Sequence, residues 1–413
     1  MWDDIEFKGE YMPISKLKVS KRGKEMPASP IRKLIPLSDE AKKKGVKVYH
    51  LNIGQPDIPT PVEFMNAVKN YPNKVLEYGN SKGDLRLIQG MVEYYGRKNI
   101  LVKPENIQIT TGGSEALIFS IICISDVGEE IIVFEPFYTN YNSLARMADI
   151  NLVPVPTKAE SGFHLPDKKI IEKKITSKTK GILFASPNNP TGTVFTREEM
   201  EIITELAKKY DLFVLSDEVY REFIYEGVHT SIMNIEGIED RAILLDSISK
   251  RYSACGARIG CLVSKNKEVM DTALKLGQSR LCSPSIEQYG AIGALKLPEE
   301  YFLAMAEEYK RRRDTCYAEL MKIPGVICQK PSGAFYIMVK LPIKDIEAFA
   351  KWMLTDFSLN GATTMVAPGP GFYATPGMGK DEARIAYVLN VEDLKKAMRI
   401  LAKGVEEYNK IKG

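Results

Sequence analysis

The sequence has little cysteine, and the cysteines it has are not paired. Its 413 residues include 6 cysteines, at positions 123, 255, 261, 282, 316 and 328, and no two of them form a C-x-x-C motif. Because zinc sites and thioredoxin-like redox motifs are built from such pairs, neither is expected, and we predict no metal site. We interpret the cysteines as small core residues of a protein in a reducing compartment.

Long apolar runs and a strong excess of one charge are absent as well. The longest apolar run, ALIFSIICI from Ala116, is about half of the ~20 residues that a membrane span needs. The amino-terminal segment MWDDIEFKGEY lacks the apolar core of a signal peptide. The net charge is +4, with lysines and arginines interleaved with acids, which argues against nucleic acid and anionic membranes as partners. We therefore predict a soluble, cytoplasmic protein.

Length and texture predict more than one domain. The chain exceeds the roughly 250–300 residues at which one hydrophobic core usually stops growing. Near residue 325 the segment GVICQKPSGAFYIMVKL is typical of antiparallel strand and turn, which indicates a second, smaller α+β domain. We predict an amino-terminal arm and part of the small domain at 1–61, a large domain at 62–296 and the small domain at 297–413. The first sixty residues should pack against the small domain or against a partner.

Short β-branched runs alternate with longer helical patterns, which predicts βα units around a mainly parallel sheet. The predicted strands are 107–110, 130–134, 181–185, 212–216, 242–246 and 260–264. The predicted helices are 63–71, 83–99, 265–277, 285–296, 298–322, 343–358 and 391–411. Their largely continuous apolar character is expected for strands that are buried on both faces.

Polar segments follow five of these strands. They are TGGSEAL after 107–110, EPFY after 130–134, SPNNPTG after 181–185, DEVY after 212–216 and SISKRYSACGARIG after 242–246. In open α/β sheets, ligands bind outside the carboxyl ends of the strands. We expect these segments to form one crevice.

Two of the segments suit a phosphate and an aldehyde. TGGSEAL places two glycines and Ser114 at a strand-to-helix junction, where free backbone amides can bind an anion. The alternative is a tight turn with Ser114 as a helix cap. The segment does not match G-x-G-x-x-G, which disfavours a dinucleotide fold. Ser247, Lys250 and Arg258 add a hydroxyl, an amine and a guanidinium, enough to hold a phosphate and form an imine beside it.

Asp217 and Tyr220 follow the buried strand at 212–216. A buried carboxylate is costly unless a cation or a strong donor meets it, and the alternatives are a helix cap for Asp217 and core packing for Tyr220. A protonated ring nitrogen would meet Asp217, and a ring oxygen would meet Tyr220 and Asn189. An aldehyde on the same ring would reach Lys250, and its phosphate would reach the glycine loop. Pyridoxal 5′-phosphate fits that description.

From about residue 28 to the carboxyl terminus, the chain resembles a class I, fold type I aminotransferase of the aspartate aminotransferase superfamily. The motifs that carry the resemblance, in the family's order, are LNIGQPD, GGS, EPFY, NNPTG, SDEVY, SISKRYSACGARIG and EARIAYVLN. The resemblance implies an α/β fold with a large domain that binds pyridoxal 5′-phosphate. The mainly parallel seven-stranded sheet of this domain lies between helices. It also implies a smaller α+β domain and a homodimer with shared active sites.

The resemblance assigns roles residue by residue. Lys250 resembles the Schiff-base lysine, Asp217 the partner of the pyridine nitrogen and Tyr220 a ligand of the ring oxygen, and these are the predicted catalytic residues. The other predicted cofactor ligands are Gly112, Gly113, Ser114, Ser247 and Arg258 at the phosphate, Asn189 at the ring oxygen, Tyr138 stacked on the ring and Tyr78 at the phosphate in the partner subunit. Gly54, Asn189 and Arg384 are the predicted substrate ligands, with Arg384 as the carboxylate-binding arginine.

The resemblance predicts transfer of the amino group of an L-amino acid to a 2-oxo acid, 2-oxoglutarate in the first place, by a ping-pong mechanism. The alternative is a pyridoxal-phosphate-dependent C–S or related lyase on the same fold. A regulator without catalysis usually carries a DNA-binding domain, for which residues 1–30 are too short. Two points stay open: Arg280 in GQSRLCSPS does not fall where dicarboxylate enzymes of the family add a second arginine, and Tyr78 could pack in a turn of its own subunit.

Overall fold

The computed structural model describes residues 17–412. Residues 1–16 of the predicted amino-terminal arm, which include the segment MWDDIEFKGEY, lie outside the described residues. Along 17–412, no helix combines the length and the apolar character that crossing a membrane requires.

Strands and helices alternate through most of the described chain. The strands are β1 (Lys47–His50), β2 (Ile107–Thr110), β3 (Glu130–Glu135), β4 (Asn151–Pro156), β5 (Thr179–Ala185), β6 (Phe213–Asp217), β7 (Ala242–Ser247), β8 (Gly260–Ser264), β9 (Tyr336–Lys340), β10 (Ala362–Met365), β11 (Ala367–Pro368) and β12 (Glu382–Ala386). The α-helices are α1 (Lys21–Lys24), α2 (Ile35–Lys43), α3 (Val62–Lys69), α4 (Leu85–Arg97), α5 (Gly112–Ile124), α6 (Asn140–Ala148), α7 (Lys168–Glu172), α8 (Arg197–Tyr210), α9 (Lys267–Arg280), α10 (Ser285–Ala294), α11 (Glu299–Leu320), α12 (Ile346–Thr355) and α13 (Val391–Lys412).

The central sheet has seven strands in the spatial order β2-β8-β7-β6-β5-β3-β4. Strands β7, β6, β5, β3 and β4 are parallel, whereas β8 is antiparallel to both β7 and β2. All six predicted strands are present, each within two residues of its predicted limits. The prediction of an α/β fold with a mainly parallel seven-stranded sheet is therefore confirmed.

The sequence patterns do not predict the seventh strand, β4. Its segment NLVPVP contains Pro154 and Pro156. Proline cannot donate to a ladder of hydrogen bonds, and it is therefore confined largely to edge strands. Strand β4 tolerates both prolines because it lies at the edge of the sheet and, among the described strands, pairs with β3 alone.

Apolar layers cover both faces of the central sheet. Alternate residues of β3 point to opposite sides, so that Ile132 and Phe134 join one cluster while Ile131 and Val133 join the other. The first cluster includes residues of α4, α8 and α11, and the second includes residues of α5, α6 and α9. This double burial explains the continuous apolar strands, and it leaves the strand ends as the place for polar side chains.

The carboxyl-terminal part of the chain contains a separate antiparallel sheet with the order β11-β12-β9. Strand β1 pairs in parallel with β10, and Leu34 and Ala41 pack with Ala350 and Leu354 of α12. The amino-terminal part of the chain thus joins the carboxyl-terminal strands and helices. The antiparallel texture expected after residue 325 is present, whereas the domain limits at 61 and 296 remain predictions.

Candidate active site

The carboxyl ends of the parallel strands border a cavity of about 570 Å³. Eleven of the predicted site residues line it: Gly54, Gly113, Ser114, Tyr138, Asn189, Asp217, Tyr220, Ser247, Lys250, Arg258 and Arg384. The polar segments after β2, β3, β5, β6 and β7 therefore do form one crevice. A larger groove of about 740 Å³, around Pro342 and Tyr408, contains none of these residues.

Helix α5 starts directly after β2, and its first turn borders the cavity. Gly112 has φ +75°, and a Cβ atom there would lie 2.2 Å from Arg258 Nη2, so this position requires glycine. Gly113 and Ser114 follow in the same turn and line the cavity. Free backbone amides at a helix start and a guanidinium thus border one corner of the cavity, which suits a phosphate.

Hydrogen bonds hold the segment after β7 beside this corner. Ser247 Oγ lies 2.8 Å from Ser249 Oγ and donates to the Ile259 carbonyl at 3.0 Å. Arg258 adopts the left-handed conformation (φ +54°), and its Nη1 donates to the Cys255 carbonyl at 2.9 Å. These bonds fix a hydroxyl and a guanidinium at the end of the cavity where α5 begins.

Lys250 lies within the same segment, and its amine reaches into the cavity. Nζ donates to the Gly54 carbonyl at 2.8 Å and lies 3.8 Å from Cys255 Sγ. The amine is also 5.8 Å from the centroid of the Phe335 ring. These are contacts with neutral groups, and they leave the amine accessible to a carbonyl ligand.

Asp217 ends β6, and its carboxylate faces the cavity. Tyr141 OH donates to Oδ2 at 2.9 Å, and the Val219 amide donates to Oδ1 at 3.3 Å. Asp217 is partly open to the cavity, yet burial raises its pKa to about 6 against the effect of these two hydrogen bonds. Asp246 and Glu218 raise the pKa further. A cationic ligand group would therefore relieve an unfavourable burial.

Two tyrosines contribute neighbouring hydroxyls to the cavity wall. Tyr220 OH lies 2.8 Å from Tyr336 OH. Burial raises the pKa of Tyr220 well above its ordinary value, so its phenol stays protonated and can donate to an oxygen of a ligand. A Cβ atom on Gly54 would lie 1.7 Å from Tyr336 OH, so the close approach of this chain segment requires a glycine.

Arg384 lies in β12 and is almost completely buried, with 1% of its surface exposed. Nη1 donates to Asn189 Oδ1 at 3.0 Å, and Nη2 donates to the Asn52 carbonyl at 2.5 Å. The guanidinium also lies 4.5 Å from the Tyr336 ring centroid and 4.9 Å from that of Phe372. Neutral groups thus fix the orientation of this cation, an arrangement that suits a carboxylate ligand.

Tyr138 lies in the segment after β3 and contributes an aromatic ring to the cavity wall. The ring packs edge-on against Tyr141, with centroids 5.7 Å apart, and the hydroxyl accepts from Asn140 Nδ2 at 2.9 Å. Burial raises the pKa of Tyr138 to about 12. Tyr141 also donates to Asp217, so the side chain of Tyr141 contacts both the Tyr138 ring and the Asp217 carboxylate.

Four residues that hold this site have no place in the predicted set: Asn52, Tyr141, Tyr336 and Phe372. Asn52 lies within the motif LNIGQPD but was assigned no role, and Tyr336 and Phe372 lie in none of the motifs that carry the resemblance. Tyr141 lies three residues after the predicted ligand Tyr138, and its amide donates to the Tyr138 carbonyl at 2.9 Å where α6 begins, so closeness to Tyr138 in the sequence was the available signal.

Two residues considered from the sequence lie apart from the cavity lining. Tyr78 is 81% exposed, so it is not packed in a turn of its own subunit, and its contact with a partner subunit stays a prediction. Arg280 ends α9, where its Nε donates to the Glu115 carboxylate at 3.2 Å and its Nη2 donates to the Ile109 carbonyl at 3.1 Å. Arg280 is therefore already paired within its own chain.

Lys250, Asp217 and Arg384 line one cavity at the strand ends of a mainly parallel α/β sheet, which is the arrangement expected of a class I pyridoxal-phosphate-dependent enzyme. The family model described as aminotransferase class I and II matches residues 46–401. The chain belongs to this family, and it is a transaminase that acts on amino acids and 2-oxo acids. The family predicted from the sequence motifs is confirmed.

Relatives with this fold share most of their length with the chain. Aspartate aminotransferase of Bacillus subtilis (strain 168) is 30% identical over 405 residues, which cover 95% of this chain and 100% of the relative. Probable aspartate/prephenate aminotransferase of Aquifex aeolicus is 32% identical over 401 residues, covering 94% and 99%. The solved structure of alanine aminotransferase from Pyrococcus furiosus gives a TM-score of 0.86 at 32% identity, covering 94% of this chain and 100% of that one.

Proposed function

We propose that this transaminase binds pyridoxal 5′-phosphate, the cofactor of its family, in the cavity of about 570 Å³. The residues that would hold it are Gly112, Gly113, Ser114, Ser247 and Arg258 at the phosphate, Asp217 at the pyridine nitrogen, Tyr220 and Asn189 at the ring oxygen, Tyr138 at the ring and Lys250 at the aldehyde. The donor set fits the group, because backbone amides and a guanidinium border one corner, and the carboxylate of Asp217 has no cationic partner among the described residues.

Pyridoxal phosphate supplies, when it is bound, a sink for the electrons released at the α-carbon of the substrate. The protein residues would determine which bond is broken. Arg384 would bind the α-carboxylate and thereby orient the α-carbon. Lys250 would then accept the proton of that carbon, since its amine reaches the same cavity. One observation carries this function: Lys250 lines the same cavity as Arg384, whose guanidinium is held by neutral groups and can bind a carboxylate.

One arginine would serve two substrates. The amino donor and the 2-oxo acceptor both carry a carboxylate next to the reacting carbon, so Arg384 would bind each of them in turn. We therefore infer a ping-pong mechanism with 2-oxoglutarate as the acceptor. The names of the relatives, which include aspartate, aspartate/prephenate and alanine aminotransferases, support substrates among amino acids and their 2-oxo acids.

We also infer a homodimer with shared active sites in the cytoplasm. The exposed ring of Tyr78 supports the shared site, because an aromatic side chain that is 81% exposed is free to contact another subunit. Its target would be the phosphate corner of the partner's cavity.

Absorbance of the bound cofactor tests this function. A panel of L-amino acids should convert the cofactor to its amino form, and 2-oxoglutarate should reverse the conversion. Lys250→Ala should retain the cofactor noncovalently and lose at least about 10²- to 10⁴-fold in turnover, because the proton acceptor is gone. Lys265→Ala, at an exposed lysine after β8, is the control and should leave turnover unchanged. Turnover of Lys250→Ala within tenfold of wild type would contradict the assignment, and release of pyruvate and ammonia without 2-oxoglutarate would identify the lyase alternative.

A further inference from the structure

The charged residues that line the cavity are mostly cations. Arg32, Lys250, Arg258 and Arg384 are the cationic residues among the lining residues of the described chain, and Asp217 is the single acidic one. The cofactor and the substrate α-carboxylate account for four of these five groups: the phosphate for Arg258, the aldehyde for Lys250, the ring nitrogen for Asp217 and the carboxylate for Arg384. Arg32 has no counterpart in that set.

The segment that carries Arg32 is attached directly to the arginine clamp. Asn52 accepts from Arg384 through its carbonyl, and its side-chain amide donates to the Ile31 carbonyl at 3.4 Å. Ile31 packs in the same apolar cluster as Phe372, the ring next to the Arg384 guanidinium. Asn52 thus contacts both residue 31 and Arg384, and one apolar cluster joins Ile31 to the side of Arg384 where Phe372 lies. This places Arg32 toward the substrate end of the cavity rather than at the phosphate corner.

The guanidinium of Arg32 is also available. Within residues 17–412, its side chain forms no ion pair with a carboxylate, whereas the next residue, Lys33, pairs with Glu347. Arg280, the other arginine considered for this role from the sequence, is paired with Glu115. Arg32 is solvent-exposed, so it breaks no ion pair of the described chain when it approaches an anion that enters the cavity.

We propose that Arg32 is a specificity-determining residue that binds the distal carboxylate of dicarboxylic substrates, which are aspartate, glutamate and their 2-oxo acids. This inference rests on the proposed function, because it assumes that the α-carboxylate occupies Arg384. A planar guanidinium can form two parallel hydrogen bonds with a carboxylate, which distinguishes such substrates from alanine and other monocarboxylic amino acids. The arginine that binds the second carboxylate then belongs to the same chain as Arg384, which binds the α-carboxylate.

Two measurements on the holoenzyme test the proposal. The first is the half-reaction with glutamate and with alanine, and the second is calorimetric binding of succinate and of propionate, which are unreactive. Arg32→Gln should lower kcat/KM for glutamate and the affinity for succinate by about ten- to hundredfold, since it removes a charge-assisted interaction. The values for alanine and propionate should stay within about twofold. Arg32→Lys should give an intermediate loss, because it keeps the charge and loses the fork.

Lys33→Gln is the matched control, because Lys33 is the adjacent cation in the same segment and its partner is Glu347. It should leave all four values unchanged. Equal losses for glutamate and alanine in Arg32→Gln, or no loss of succinate affinity, would overturn the proposal. If none of the amino acids tested converted the cofactor of the wild-type holoenzyme to its amino form, the proposed function would fail instead. Selective binding of succinate through Arg32 would still be measurable in that case.

Discussion

Replacing Asp217 by asparagine should stabilise the cofactor-free protein at neutral pH. Its pKa is about 6 in the folded protein, against an ordinary value of 3.8, so folding opposes ionisation of this carboxyl. At 1.36 kcal/mol per pKa unit, the difference corresponds to at most ~3 kcal/mol of stability lost above pH 6. Because Asp217 is partly open to the cavity, where water screens its charge, we expect a gain of ~1–2 kcal/mol for Asp217→Asn.

The gain should depend on pH with a definite sign. Between pH 3.8 and about 6, the folded protein keeps a proton on Asp217 that the unfolded chain has released. The stability of the wild type therefore falls as the pH rises through this window, and the gain of Asp217→Asn should be complete above it and absent below about pH 4. Urea midpoints of both cofactor-free proteins, measured at several pH values between about 4 and 8, give the profile.

Glu218, the next residue, provides a control of opposite sign. Burial alone would raise the pKa of Glu218, but Arg221 and His229 lower this pKa below its ordinary value. Arg221 Nη2 donates to the Glu218 carboxylate at 3.1 Å. Glu218→Gln should therefore lower the urea midpoint near pH 8. A variant Asp217→Asn that is no more stable than the wild type near pH 8, or whose gain persists unchanged at pH 4, would refute the reasoning. Weaker cofactor binding should accompany the gain.

Two further predictions concern the clamp and the dimer. Arg384→Lys keeps the charge and loses the planar fork, so steady-state kinetics should show a higher KM for donor and acceptor alike at unchanged cofactor content; a rise for one substrate alone would contradict a shared clamp. If Tyr78 crosses to the partner subunit, mixing the inactive variants Lys250→Ala and Tyr78→Ala should restore activity, because the heterodimer has one intact site. No recovery, with heterodimers shown to be present, would contradict the shared site.

The sequence predicted those strands whose burial is uniform. Strand β8 is buried at every residue and is apolar between its end residues, and it was predicted to the residue. Strand β2 was also predicted to the residue, although its sequence IQIT alternates apolar and polar side chains. Strand β4 escaped prediction because its prolines, tolerated at an edge, imitate a turn. The antiparallel direction of β8 also has no local signal, since the direction of a strand is decided by the length and course of its connections.

The candidate site was predictable where a motif follows a strand and was not where distant segments meet. Asp217 ends β6 and Lys250 follows closely on β7, so their convergence follows from the topology of the sheet. Asn52 reaches Arg384 through the packing of the amino-terminal segment on the carboxyl-terminal one, and Phe372 reaches it from the segment between β11 and β12. Such contacts leave no periodicity in the sequence, and for this reason Arg32 was not among the predicted site residues.

Two carboxylates at the ends of neighbouring strands have different partners because of the alternation of a β-strand. Asp217 pairs with Leu245 across β6 and β7, so the following residue, Asp246, points to the opposite face of the sheet. On that face, Arg251 Nη1 donates to Asp246 at 2.8 Å and Tyr95 OH donates at 2.9 Å. Although burial alone would raise it, nearby guanidinium groups hold the pKa of Asp246 below its ordinary value.

Asp246 therefore has the partners of a structural carboxylate, and its contacts explain how Lys250 is positioned. The Ser247 amide donates to Asp246 Oδ1 at 2.7 Å, and Arg251 binds the same carboxylate. Both ends of the short segment that contains Lys250 are thus fixed to one buried anion, while the lysine side chain extends into the cavity. Asp217, one position out of phase, has no cationic partner within residues 17–412 and is left for a ligand. Sheet alternation thus assigns the anchoring of the lysine and the binding of a cationic ring to opposite faces.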